Sequence, residues 1–181
     1  MSAFSIHPQP AKVIERAAAV LETLIDLDEV SLGGGTALEA HWHHRTSTDL
    51  DFFATGARID TLFYEFEQLN DVITAHWKAG RIDGKRPSVT RRTVLHFEID
   101  GTPVSIGRVS EMHGSGEDTE ILTGIKLSHN KDILTKKLFN RLFENQVVTE
   151  RDAYDFGVAR TFDAQSLEYA WSHIGKHARA C

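Results

Sequence analysis

Near the start of the chain, apolar residues recur with the period of an α-helix. Val13, Ile14, Ala17, Val20, Leu21, Leu24 and Ile25 share one face, which predicts a first helix over roughly residues 10–28. "EVSL" then reads as a short strand ended by Gly33, Gly34 and Gly35. "TALEAHWHH" reads as a short helix opened by Thr36, a residue suited to an N-cap. "DLDFFA" is a second strand, and "TLFYEFEQLN" places Leu62, Phe63, Phe66 and Leu69 on one helical face.

From about residue 72 to 110 the pattern turns to strands. "DVITAHW", "VTRRTVLHFEI" and "TPVSIGRV" are rich in β-branched and aromatic residues. Asp100-Gly101 is a hairpin signal joining the last two. "HGSGED" reads as a loop and "ILTGIKLS" as a short strand or two. The remainder is helical: "NKDILTKKLFNRLFEN" with Asn130 as its expected cap, "TERDAYDFGVARTF" beginning at Thr149, and "AQSLEYAWSHIGKHA". The layout is α+β with a mixed sheet: a core over residues 1–128 and a helical segment over 129–181 packed on it as one unit.

Composition narrows the class. The 181 residues, 41% hydrophobic and 25% charged, suit one globular domain with a real core. No run approaches the ~20 apolar residues that cross a bilayer. The first residues lack the basic start and apolar centre of a signal peptide, so a cytoplasmic location and no membrane partner are expected. The one cysteine, Cys181, leaves no internal disulfide and argues against a cysteine-based zinc site. A net charge of −6 argues against a generic nucleic-acid coating protein, without excluding a local basic groove. "KAGRIDGKRPSVTRR" carries Lys78, Arg81, Lys85, Arg86, Arg91 and Arg92, which can track a nucleic-acid backbone or simply stay solvated.

The chemistry-bearing stretch is "LGGGTALEAHWHHRTSTDLDFF". Gly34 and Gly35 let the backbone approach a ligand closely, and a helix starting at Thr36 would turn free amides toward a phosphate. Taken alone, the glycines are explained better by a plain tight turn with no ligand. Asp49 and Asp51, two apart on a strand, point to one face. Side by side in a mostly apolar strand they repel each other, and a hard cation such as Mg²⁺ relieves that repulsion. Arg45, with Ser47 beside it, is either a phosphate clamp or a partner for a nearby acid. Lys137 and Arg141 fall within or beside an apolar arc, where a cation must snorkel or meet an anion. Asp152, three residues after Thr149, fits a helix cap and also fits a carboxylate facing the metal, and Asp155 one turn on can join either. His41, His43 and His44 read as partly exposed helix residues and not as a metal cluster.

"GGTAL" (34–38), "HRTSTDLDFF" (44–53), "DILTKKL" (132–138) and "ERDAYDF" (150–156), in this order, resemble the AbiEii/AbiGii toxin family of nucleotidyltransferase-like proteins from bacterial toxin–antitoxin and phage-defence systems. The resemblance implies a polymerase-β-type nucleotidyltransferase core, a mixed β-sheet flanked by helices with a C-terminal helical segment. It implies that Gly34 and Gly35 contact a nucleoside triphosphate, that Asp49 and Asp51 hold Mg²⁺, and that Lys137 and Asp152 complete the catalytic set. It further implies a tRNA-like RNA or a protein as acceptor and a cognate antitoxin as partner. One departure stands out. The fold usually carries a third carboxylate on a later strand, and Ser105 occupies that place in "DGTPVSIGRV", with Glu98 one strand earlier as a substitute. An active transferase and a degenerate nucleotide- or partner-binding module are therefore both open readings.

Overall fold

Helix α1 (Pro8–Leu21) buries Val13, Ile14, Ala17, Val20 and Leu21 on the face its spacing anticipates. In this computed structural model, which describes residues 5–54, 57–90, 93–108, 121–122 and 124–177, the helix stops at Leu21. Leu24 and Ile25 still enter the core, from a turn and not from a longer helix. The expected loop "HGSGED", together with Arg91, Arg92 and Cys181, lies outside the described residues.

The chain continues through β1 (Val30–Leu32), α2 (Gly34–Trp42), β2 (Leu50–Ala54), α3 (Ala57–Tyr64) and α4 (Phe66–Lys78). Four strands and a hairpin partner follow as β3 (Asp83–Thr90), β4 (Val94–Ile99), β5 (Thr102–Arg108), β6 (Ile121–Leu122) and β7 (Ile125–Leu127). The last helices are α5 (Asn130–Leu138), α6 (Glu150–Phe162) and α7 (Ala164–His177), with a wider π-type turn over Phe139–Glu144 after α5. The described strands form one mixed sheet in the order β3-β4-β5-β2-β1-β7-β6. β2 sits inside it, antiparallel to β1 and parallel to β5, with Asp51 opposite Ser105.

Alternation in β2 decides the plan of the molecule. Leu50, Phe52 and Ala54 point to one face and are buried, while Asp51 and Phe53 point to the other. On the apolar face, α1 and residues Ile59, Phe63, Leu69 and Ile73 of α3 and α4 close a single core. Fully burying a side chain such as Phe52 contributes about 1.5–3 kcal/mol. The other face stays polar near the ends of β2 and β5, and α5 and α6 lie over it. Leu134, Leu138, Ala159, Ala170 and Ile174 tie α5, α6 and α7 together as a second cluster.

Three local expectations are corrected. "DVITAHW" is helical, inside α4, and not a strand. The β-branched run favours a strand locally, but only helical spacing turns Leu69, Ile73 and His76 onto one buried face. Thr36 does not cap α2: the N-cap is Gly33, and the Thr36 hydroxyl donates to the Asp49 carbonyl. The cap position of α5 is His129, and Asn130, its first residue, spends its side-chain amide on Asp163, 2.8 Å away. The Asp100-Gly101 hairpin is present, with both residues at positive φ (48° and 73°), as a tight two-residue turn requires.

Candidate active site

The polar face of β2 and the helices over it enclose a cleft of about 920 Å³. Gly34, Gly35, Arg45, Ser47, Asp49, Asp51, Lys137 and Asp152 all line it, so one cleft gathers eight of the nine residues expected from the sequence to carry nucleotide binding or catalysis. The ninth, Thr36, is buried and is not among the lining residues. Its hydroxyl supports Asp49 from behind through the carbonyl.

The glycine turn is built for close approach. Gly34 has φ +62°, and a Cβ there would run into the Asp51 carboxylate. A Cβ on Gly35 would come within 2.7 Å of the Arg45 guanidinium and 2.8 Å of the Ser47 hydroxyl. The Gly33 amide donates to the Asp51 carbonyl at 2.8 Å, which locks the turn to β2. No side chain caps the first turn of α2, a helix N-terminus aimed at the carboxylate side of the cleft.

Asp51 lies in β2, and Asp49 immediately precedes it, so only one of the pair is on the strand proper. Each carboxylate is steadied by one hydroxyl. Ser47 Oγ donates to Asp49 Oδ1 at 3.0 Å, and Ser105 Oγ donates to Asp51 Oδ1 at 2.8 Å. Burial pushes the Asp51 pKa up, and the charge of Asp49 adds to that rise; the Ser105 hydrogen bond and the nearby lysines oppose it. Two hard-oxygen carboxylates facing one cleft fit a divalent cation that takes its other ligands from phosphate and water. Among the described residues there is no group of three His, Cys, Asp or Glu side chains that would make an all-protein metal cage.

On the opposite wall a second set of charges neutralises itself. Asp155 is fully buried and accepts from Arg45 Nε at 2.6 Å and Nη2 at 2.9 Å, and from His44 Nε2 at 2.8 Å. Lys137 Nζ lies 3.0 Å from both Asp155 and Asp152. Burial alone would raise Asp155, but Arg45, Lys137 and His44 hold it down at about 2. The same bond to Asp155 raises the Arg45 pKa. Asp152 makes the cap its spacing allows and also borders the cleft. It forms a reciprocal capping box with Thr149 at the start of α6, and it faces the cleft, where Arg141 Nε approaches it at 2.9 Å. Burial works against its charge, and the Thr149 hydroxyl and Lys137 outweigh that and lower its pKa.

Two residues were not legible as site residues. His44, expected to be a partly exposed helix histidine, is only 3% exposed at its side chain and is spent on Asp155. The helix ends before it, at Trp42, and left-handed His43 turns the chain so that His44 and Arg45 point inward. The second is Lys136. Its ammonium is buried without a hydrogen-bond partner and lies over the Phe53 ring, 2.7 Å from its centre. The signal was its position three residues after the inward Ile133, since adjacent lysines on a helix point in different directions. Glu98 does not replace a third carboxylate. It pairs with Asp83 and Pro103, its carboxylate packs under Gly84, and it is not among the residues that line the cleft.

A mixed sheet carrying two carboxylates beside a glycine turn, roofed by cationic helices, is the nucleotidyltransferase type of fold. The solution structure of the antibiotic-resistance factor ANT(2'')-Ia is similar over 94% of this chain and 93% of its own, with TM-score 0.61 and 11% identity. The crystal structure of ANT(2'')-Ia in complex with adenylyl-2''-tobramycin matches over 92% and 98%, with TM-score 0.56 and 11% identity. JHP933 from Helicobacter pylori matches over 90% and 70%, with TM-score 0.52 and 15% identity. Residues 18–179 match the family described as the nucleotidyl transferase AbiEii toxin of type IV toxin–antitoxin systems, and the chain belongs to that family. Comparison with curated proteins finds no match. No helix among the described residues is long and apolar enough to cross a membrane.

Proposed function

We propose that this protein is a Mg²⁺-dependent nucleotidyltransferase that moves a nucleotide from a nucleoside triphosphate to a hydroxyl of an RNA, tRNA-like in kind, or of a protein. The observation that carries this reading is the Asp49–Asp51 pair set against the Gly34–Gly35 turn in a cleft large enough for a nucleotide. Asp49 and Asp51 would hold the metal, which when bound neutralises charge on the triphosphate. Gly34 and Gly35 admit the phosphates to the backbone amides of α2. Ser47 and Ser105 fix the carboxylates, and Arg45 and Lys137, held by Asp155 and Asp152, shape the opposite wall. In the transfer, the acceptor oxygen bonds to the α-phosphorus, the bond from that phosphorus to the bridging oxygen breaks, and pyrophosphate leaves with the electron pair. The acceptor's proton goes to solvent.

Family membership in a type IV toxin–antitoxin system supports a toxin role, with a cognate antitoxin as the opposing partner, phage defence as the setting and the cytoplasm as the place. A second reading rests on Ser105, which stands opposite Asp51 where a third carboxylate is expected: a degenerate module that binds nucleotide or partner without chemistry. Calorimetric titration with each nucleoside triphosphate, with and without Mg²⁺, separates the two, run beside the Asp49→Ala, Asp51→Ala double variant. The transferase reading expects Mg²⁺-strengthened binding lost in the variant, and label transfer from a radiolabelled triphosphate to tRNA or protein. Binding indifferent to Mg²⁺, without label transfer, would establish the module instead.

A further inference from the structure

Five cations border the cleft, and four of them are answered or open to water. Arg45 is held by Asp155, Lys137 by Asp152 and Asp155, and Arg141 by Asp152. Arg151 is exposed. Lys136 alone is buried with no hydrogen-bond partner among the described residues, although its side chain lines the same cleft from α5. A buried ammonium without a partner is costly, and proteins rarely keep one without a use. Its nearest aromatic is Phe53, the next outward-facing residue of β2 after Asp51. The stem is therefore folded over the strand that carries the carboxylates, and its four rotatable bonds allow the ammonium to swing toward a ligand lying along that strand.

We propose that Lys136, and not Lys137, is the lysine that grips the triphosphate, as a cation kept off its ligand by the Phe53 ring until the polyphosphate enters. This deepens the transferase reading and rests on it. Lys137 is instead a positioning residue, because its charge is already consumed by two carboxylates. Burial also pushes the Lys136 pKa well down, and the charges of Asp51 and Asp132 oppose that fall without offsetting it.

The two roles have opposite signatures. Replacing Lys136 by methionine removes an unpaired buried amine and keeps its shape, so the fold should be as stable or more stable. Replacing Lys137 by methionine strips a partner from both Asp152 and Asp155, so the fold should be weaker. Titration of wild type, Lys136→Met and Lys137→Met with inorganic tripolyphosphate and with each nucleoside triphosphate, together with the melting temperature of each, tests this. The expected result is roughly 10- to 100-fold weaker binding of tripolyphosphate and nucleotide by Lys136→Met, at a melting temperature equal to or above that of wild type. Lys137→Met should melt lower. Wild-type affinity in Lys136→Met would overturn the inference and leave the transferase reading standing. A melting temperature that falls as far in Lys136→Met as in Lys137→Met would overturn it too, because the lysine would then be structural. A wild type that binds neither tripolyphosphate nor nucleotide would sink both proposals.

Discussion

Replacing Asp155 by asparagine removes the charge that organises the wall opposite the Asp49–Asp51 pair. The carboxylate is fully buried and is met by Arg45, His44 and Lys137. Its pKa falls from an ordinary 3.8 to about 2 in the fold. A depression of that size corresponds to about 2–3 kcal/mol of folding stability at neutral pH. The sign follows from the direction of the shift. The folded state holds the proton less tightly than the unfolded state, so the stabilisation is complete above about pH 4 and is lost as pH falls through about 2. Asparagine keeps the shape but turns an amide N–H₂ toward a guanidinium or an ammonium. The variant should therefore lose at least about 2 kcal/mol at pH 7, rising toward about 5 kcal/mol if Arg45 is left buried without a partner. Urea unfolding of wild type and Asp155→Asn at pH 7, and at intervals between pH 4 and 2, measures both quantities. The gap between the two proteins should be constant above pH 4 and should narrow below it. Equal stability at pH 7, or a gap that does not change with acid, would refute the claim that Asp155 holds this wall by charge.

Gly34→Ala forces a side chain into a positive-φ position and against the Asp51 carboxylate, so a loss of about 1–3 kcal/mol in urea unfolding is expected, along with Mg²⁺-dependent nucleotide binding. An alanine variant that unfolds and binds like wild type would show that the turn does not need glycine. Thr149→Val deletes the hydroxyl that caps α6 and also steadies Asp152, which should cost about 1 kcal/mol in thermal or urea unfolding. A smaller change than that seen for an exposed control such as Thr161→Val would mean that Lys137 and Arg141 hold Asp152 without the cap.

The parts of the site that the sequence made legible are those where chemistry and short-range geometry agree. Asp49 and Asp51 could be placed together because strand alternation admits only one arrangement for residues two apart. Gly34 and Gly35 could be placed next to them because the intervening helix is short and both ends are tied to adjacent strands. The α+β layout, the Asp100-Gly101 hairpin and the Thr149 cap followed from equally local signals. What was not legible depended on long-range packing. The run from Asp71 to Trp77 has strand-like composition, and only the requirement to bury Leu69 and Ile73 on the sheet makes it helical. His44 looked exposed because its partner, Asp155, lies 111 residues away in sequence. Lys136 and Lys137 are indistinguishable by composition. Which of them meets the carboxylates of α6 depends on how α5 is rotated over the sheet, and that is set by Leu134 and Leu138 packing on Ala159, Ala170 and Ile174.

The same dependence on register governs the meaning of Ser105. Because β2 and β5 run parallel with Asp51 opposite Ser105, a side chain at position 105 reaches the Asp51 carboxylate. A third carboxylate there would add a like charge beside Asp51, whose ionisation burial and Asp49 already disfavour. The serine does the reverse: it donates to Asp51 Oδ1, as Ser47 donates to Asp49 Oδ1. Each carboxylate thus has its Oδ1 tied to a hydroxyl, and the Oδ2 of Asp51 lies against Gly34, at the head of α2. The polar face of β2 thus presents two carboxylates, each accepting from a serine hydroxyl. A site of this kind suits a single cation shared with phosphate oxygens.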